Sequence, residues 1–232
     1  MRGKRGLQHV EFIVSFVVFV SFLALAFYFF SPVRGDRIVD STLFYTFDEI
    51  TDNATVRLAT YSLNMDKNLQ ENVVGIPFPE EAGLGVRAEN QDGIVRGSGF
   101  DESNVYINRG GDSFFFLFFS EEYPDSGVRG NILSSDNYTV SSSEERYVYS
   151  ENKILYLKGI YDSDSGYEKL KKEFNLPVRS SFGFVVEFDD GTKISAEKNI
   201  PEGLEVFSED KRIEILKKNG KIEFANLRVI IW

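Results

Sequence analysis

The sequence predicts an α+β protein in which an N-terminal transmembrane helix is followed by a mainly antiparallel, sandwich-like β head domain. Three observations support this fold class: an uncharged run of nineteen residues near the N-terminus, strand-like segments over most of the remaining chain, and a composition of 42% hydrophobic and 15% aromatic residues, sufficient for a packed core. The predicted boundaries are a leader peptide at 1–6, a transmembrane helix at 7–30, a helical stalk at 31–50 and an extracytoplasmic head at 51–232.

The transmembrane helix is predicted from the stretch 12–30, which contains no charged side chain and only two serines. A helix of this length reaches about 28 Å, close to the ~30 Å hydrocarbon thickness of a bilayer. The run is apolar on all sides, whereas a helix buried in a protein core usually keeps a polar stripe. Because Arg2, Lys4 and Arg5 precede it, the positive-inside tendency favours a single-pass membrane protein with a cytoplasmic N-terminus and an extracellular head at the cell surface.

A second helix is predicted over residues 36–50, after Pro32 and Gly35 interrupt the first. Ile38, Leu43 and Phe47 can share one face of it. Later in the chain, Ser165 and Glu168 have the spacing of a helix N-terminal capping box, and Pro177 should end the helix that follows.

The head is predicted to consist mainly of strands, because its segments are rich in β-branched and aromatic residues and are separated by Gly, Asp, Asn and Ser. Two hairpins are specified locally by Asp190-Gly191 and Asn219-Gly220, dipeptides that suit tight turns with positive φ. The segment 146–161 (RYVYSENKILYLKGIY) is predicted as strand, and the FFFLFF run at 114–119 as a strand buried on both faces.

Charge and residue usage exclude several classes of function. The formal net charge is −10, and without a basic stripe the chain should not bind nucleic acid. The chain has no cysteine, and its single histidine is His9. Ser-His-Asp catalysis, Cys-His catalysis and thiolate metal sites are therefore excluded from the head. The sequence predicts no catalytic residue, no metal site and no cofactor.

The N-terminal residues carry a more specific signal. A short basic segment ends at Gly6, an apolar run begins at Leu7, and Glu11 is the fifth residue after Gly6. This arrangement resembles the class III signal of archaeal type IV pilin-like proteins, in which a prepilin peptidase cuts after glycine and glutamate is the fifth mature residue. The resemblance covers about thirty residues. Leu7 and His9 depart from the commoner pattern, which has glutamine directly after the cut and serine two residues later.

The resemblance implies a structural subunit that assembles into a cell-surface filament or a minor-pilin complex with like or related pilin subunits. It implies cleavage between Gly6 and Leu7 and pairing of Glu11 with the free amino group of a neighbouring subunit. The residues alone leave open that Glu11 simply stays hydrated near a helix end. The alternative function is a single-pass membrane-anchored binding or adhesion module that does not polymerise. Asn53 and Asn137 begin two N-glycosylation sequons, which fit an exported surface.

Overall fold

The computed structural model describes residues 4–30, 34–163 and 165–232, and for 4–10, 28–30, 34–40 and 142 it describes the backbone only. The helices are α1 Lys4–Phe30, α2 Arg34–Ala54, α3 Glu151–Tyr161 and α4 Gly166–Glu173, with 3₁₀ turns at Pro79–Glu81 and Ser135–Asn137. The strands are β1 Thr55–Met65, β2 Val73–Pro77, β3 Gly85–Asn90, β4 Val95–Arg96, β5 Ser98–Phe100, β6 Asn104–Asn108, β7 Phe114–Ser120, β8 Asn131–Ile132, β9 Tyr138–Ser150, β10 Phe182–Phe188, β11 Lys193–Ala196, β12 Phe207–Leu216 and β13 Ile222–Ile231.

The predicted fold class is wrong in its first element. Strand accounts for 41% of the structure and helix for 27%, and no helix in the described residues is long and apolar enough to cross a membrane. The predicted transmembrane helix, and with it the single-pass membrane localisation, is therefore wrong.

The chain divides into two compact units, Met1–Thr42 and Leu43–Trp232. The second unit begins inside α2, eight residues before the predicted head boundary at 51. Leu43, Phe47 and Ile50 are buried within it. The last turns of α2 are thus part of the hydrophobic core of the β-rich unit, and are more than a connecting stalk.

The β-rich unit contains a nine-stranded sheet with the order β11-β10-β13-β12-β9-β1-β7-β3-β4 and a four-stranded sheet with the order β5-β6-β2-β8. One core lies where the end of α2 and the helices α3 and α4 pack on the β10–β13 half. A second core lies between the β1–β7–β3 half and strands β2 and β6. This arrangement differs from a plain sandwich, because helices cover one half of the large sheet while strands cover part of the other half.

Both predicted hairpins are confirmed: Gly191 connects β10 to β11 and Gly220 connects β12 to β13, each with positive φ. The strand predicted at 146–161 is only half correct, because it ends at Ser150 and α3 follows. The Ser150 hydroxyl accepts a hydrogen bond from the Lys153 amide at 3.1 Å and caps the helix. In β7 the alternate residues Phe115, Leu117 and Phe119 are fully buried while Phe116 is partly exposed, so this strand is not buried on both faces.

Candidate assembly surfaces

The residues predicted to act in processing and assembly lie on α1. Gly6 and Leu7 belong to the part of this helix whose side chains lie outside the description, so their predicted cleavage stays a prediction. Glu11 is exposed. Its predicted partner, an amino group at Leu7 of another subunit, would come from a second copy. The role of Glu11 is likewise a prediction.

The α1 helix exposes large apolar side chains around its whole circumference. In the Met1–Thr42 unit, twelve large apolar residues between Phe12 and Phe27 are 38% to 74% exposed. Single exposed apolar residues are ordinary on a protein surface, but a continuous patch of this kind marks an interaction surface. The described part of this helix is therefore a candidate interaction surface.

The two sequons occupy different settings. Asn53 is in the last turn of α2, where its side-chain amide donates to the carbonyl oxygen of Glu49 at 2.8 Å. Asn137 is in the 3₁₀ turn that precedes β9 and is half-buried. A sequon usually marks a surface loop. Asn53 is exposed but helical, and Asn137 lies in a turn but is half-buried, so neither asparagine meets this criterion in full.

The nine-stranded sheet contains a fork between β9 and β12. These strands run parallel and pair only at Ile215 with Tyr149 and at Leu216 with Ser150. Before that junction, β12 pairs along its whole length with β13 on its other side. Among the described residues, the edge of β12 that faces β9 thus has no strand partner from Phe207 to Glu214. Such an edge presents free main-chain N–H and C=O groups, which can pair with another strand.

A depression of about 830 Å³ opens beside this fork. Its wall on the β12 side consists of Lys211 to Glu214, and Tyr147 and Tyr149 belong to its β9 side. The phenol ring of Tyr147 is largely exposed. Lys211 and Arg212 border this depression and are exposed, whereas Ile213 is buried and Glu214 contacts Arg146 of β9 at 3.1 Å.

Most charges around the depression are paired within the chain. Arg212 forms a two-point ion pair with Asp189, with both distances at 2.6 Å, and Asp210 pairs with Arg228 at 2.8 Å. Lys211 and Glu209, in contrast, have no ion-pair partner among the described residues. The ammonium of Lys211 lies 5.5 Å from the ring centre of Phe47.

A buried carboxylate lies close to one side of the depression. Glu81 accepts hydrogen bonds from the guanidinium of Arg57 at 2.5 and 3.1 Å and from the hydroxyl of Tyr61 at 2.6 Å. Burial, followed by this hydrogen bond, raises the pKa of Tyr61 to about 12. Arg57 also contacts the exposed Glu145 at 2.9 Å, and hydrogen bonds to Glu145 and Glu81 raise the pKa of Arg57. Every oxygen of Glu81 thus has a partner, which is typical of a structural ion pair.

A second cavity of about 330 Å³ lies between the loop after β7 and the β12–β13 turn. Tyr123 lies in its wall, and burial raises the pKa of this tyrosine to about 12. Arg87 and Arg96 also line the cavity, but each is already paired with a carboxylate, Glu89 or Asp112. Among the described residues, no three His, Cys, Asp or Glu side chains are grouped so that they could hold a metal ion.

No family model matches the sequence, and no curated protein or solved structure shows significant similarity to it.

Sequence reasoning missed the β12 edge. The residues Glu209-Asp210-Lys211-Arg212 were not a predicted site, although two acids followed by two bases within a strand is a visible pattern. Whether this charged segment lies on an open edge or inside the sheet depends on which strand lies beside it. That neighbour is set by the non-local pairing of β9 with β12, which the local sequence does not specify.

Proposed function

We propose that this chain is a pilin-like structural subunit, without catalytic activity, that assembles with copies of itself or with related subunits through α1. The observation that supports the proposal most is the all-round apolar surface of α1. Packing against helices of other subunits would remove this surface from water, and each buried side chain of this size contributes about 1.5–3 kcal/mol. The arrangement of Gly6, Leu7 and Glu11 supports the same function and adds a prepilin peptidase as a processing partner.

The proposal is tested by changing the apolar surface without changing the head. The full-length wild type should give a ladder of crosslinked oligomers, and replacing Phe16, Val17 and Leu23 by asparagine should abolish it. The matched control replaces two exposed apolar residues of the head, Tyr156 and Phe224, by asparagine. This control variant should still give the oligomer ladder. Loss of the ladder in the control, or a remaining ladder in the α1 variant, would contradict the proposal.

The role of Glu11 needs a separate test. If its carboxylate pairs with the Leu7 amine of a neighbour in a helix bundle, removing it leaves an uncompensated charge and costs about 3–5 kcal/mol. Glu11→Gln and Glu11→Ala should then reduce crosslinking between copies while the fluorescence of Trp232 reports a folded head. Glu168→Gln, at an exposed acid of α4, is the control. Wild-type oligomer yield in both Glu11 variants would exclude this pairing.

The second candidate is a binding module that does not polymerise. The depression beside the β9–β12 fork favours it, because its volume of about 830 Å³ lies within the range of ligand sites. The same α1 experiment separates the two functions: a binding module would show no ladder in the wild type.

A further inference from the structure

We propose that the cavity between the loop after β7 and the β12–β13 turn binds a small organic carboxylate. Arg87, Tyr123 and Lys218 hold the acidic head of this ligand, and its apolar body lies against the apolar part of the wall. The lining of the cavity includes no residue of α1 and none of the depression beside the β9–β12 fork. The proposal therefore does not depend on the assembly proposed above.

The cavity has the size and the wall of a small-molecule site. Its volume of about 330 Å³ lies at the lower end of the range for ligand pockets, about 300–1,000 Å³. Val86, Tyr123 and Leu216 line it and are all buried. An apolar wall with a few polar groups is typical of a site that orients a small ligand by its head group.

Arg87 provides the main donor. Its side chain is only 11% exposed, and it is held in place by Glu89 at 2.7 Å and by the carbonyl oxygen of Asn219 at 2.9 Å. A guanidinium carries five N–H groups, and these contacts use at most three of them. At least two N–H groups of Arg87 are therefore left for a further acceptor. Because the guanidinium is already fixed, binding a ligand to it orders little that was mobile before.

Tyr123 adds a second donor at the same place. Its hydroxyl donates to the carbonyl oxygen of Gly220 at 3.4 Å, whereas such a bond is usually about 2.7–2.8 Å long. Burial raises the pKa of Tyr123 to about 12, so the hydroxyl keeps its proton at neutral pH and can donate it to a better placed acceptor. A Cβ on Gly220 would lie 2.8 Å from Nη1 of Arg87 and 3.1 Å from Cε1 of Tyr123. The guanidinium and the phenol thus lie against the same glycine of the turn.

The unused polar groups of this wall are mainly donors. Each oxygen of Glu122 already accepts a hydrogen bond within the chain, one from the hydroxyl of Ser150 and one from the amide of Asn152. Lys218 lines the cavity and has no ion-pair partner among the described residues. An ionised carboxylate is only an acceptor, and its hydrogen bonds to charged donors are stronger than those of a neutral group. A carboxylate therefore fits this wall better than an amine, which has to donate.

A simple gap between two loops is the alternative explanation, because Arg87 also holds the β12–β13 turn against β3. That role requires only its contact with the carbonyl oxygen of Asn219. The two explanations differ in one measurable property. A gap without a binding role does not distinguish a carboxylate from a neutral molecule of the same shape.

The probe is 3-(4-fluorophenyl)propanoate, whose binding to the full chain is followed by ¹⁹F NMR. The control ligand is the corresponding amide, which is neutral and has the same apolar body. We expect the carboxylate to bind at least about tenfold more tightly than the amide, because only the carboxylate forms charge-assisted hydrogen bonds with Arg87 and Lys218. Equal affinities for the two ligands would overturn the proposal.

A matched pair of variants locates the bound probe. Val95 lines the cavity, its neighbour Ile94 does not, and both are exposed. Val95→Phe should narrow the cavity and weaken binding of the carboxylate at least about tenfold, whereas Ile94→Phe should leave it unchanged. Unchanged binding in the Val95→Phe variant would show that the probe binds elsewhere, for instance on α1, and would overturn the proposal.

Two conservative variants test the polar head. Tyr123→Phe and Lys218→Gln should each weaken binding of the carboxylate about three- to tenfold and leave binding of the amide nearly unchanged. Lys172→Gln, at an exposed position of α4, is the control and should affect neither ligand. The fluorescence of Trp232 reports whether each variant is folded. Wild-type affinity for the carboxylate in both folded variants would contradict the site proposed for its head.

Discussion

The prediction that tests the fold most directly is that Phe47, at the end of α2, stabilises the β-rich unit. Its side chain is 4% exposed and packs in the core formed with α3, α4 and strands β10–β13. Truncating a buried phenylalanine to alanine costs about 3–5 kcal/mol, because apolar burial is lost and a cavity remains. Phe47→Ala also removes the ring near the Lys211 ammonium. We therefore expect the free energy of unfolding to fall by about 3–5 kcal/mol.

Phe44 offers a control on the same helix. It is 61% exposed, so Phe44→Ala should change the free energy of unfolding by no more than about 0.5 kcal/mol. The two substitutions remove the same atoms and add the same alanine helix propensity. Their difference therefore isolates burial in the core from effects on the helix itself.

The assay is urea unfolding of the full chain, followed by fluorescence of Trp232, the only tryptophan. The main chain of Trp232 pairs with Ser181, the residue directly before β10, so the probe lies in the half of the unit that contains Phe47. With a slope of about 2 kcal/mol/M, the midpoint for Phe47→Ala should fall by about 1.5–2.5 M. Equal midpoints for the two variants would show that α2 does not complete the core.

Three further predictions concern an ion pair, a titration and processing. Glu81→Ala should destabilise the unit by about 1–3 kcal/mol, because Arg57 and the Tyr61 hydroxyl lose their buried acceptor while Arg57 keeps Glu145. Removal of the exposed carboxylate by Glu145→Ala should cost less than about 1 kcal/mol. Thermal unfolding measures both, and equal losses would contradict the structural role of Glu81. The pKa of Asp101 is lowered to about 2, mainly because the hydroxyl of Tyr106 donates a hydrogen bond to its carboxylate at 2.5 Å. The stability linked to this carboxylate is therefore present above pH ~4 and is lost as pH falls through about 2. Tyr106→Phe should raise the pKa of Asp101 in a ¹³C NMR titration, and an unchanged pKa would exclude this hydrogen bond as the cause. The mature protein isolated from its native cells should begin at Leu7 by mass spectrometry, and a chain that retains Met1 would contradict cleavage after Gly6.

The sequence predicted the parts of the fold that are determined by residues close together in the chain, such as tight turns. Asp190-Gly191 and Asn219-Gly220 predicted both hairpins, because a tight turn needs residues that tolerate positive φ and few residues do so readily. The segment 55–65, which is rich in β-branched and apolar residues, forms β1, and buried and less buried residues alternate at its two ends, over Thr55–Leu58 and Leu63–Met65. These predictions need no knowledge of distant residues.

The segment after Ser150 shows where composition misleads. Its isoleucine, leucine and tyrosine residues suggested a strand, but Ile154, Leu157 and Tyr161 are the buried residues of α3. Their spacing of three and four follows the helical period, and the Ser150 cap fixes where the helix begins. Periodicity and a capping residue were the decisive signals here, and both were present in the sequence.

The β9–β12 fork could not be predicted in this way, and it determines where the candidate surface lies. β9 and β12 are more than fifty residues apart in the chain, and they meet because α3, α4 and the β10–β11 hairpin separate them and return β12 to the sheet. The charges at 209–212 would lie inside a ladder if β12 paired with β9 along its full length. Because pairing stops at Ile215, those charges lie on an open edge instead. The short parallel junction thus leaves the charged segment 209–212 on a part of β12 that has no ladder to β9 in the described structure.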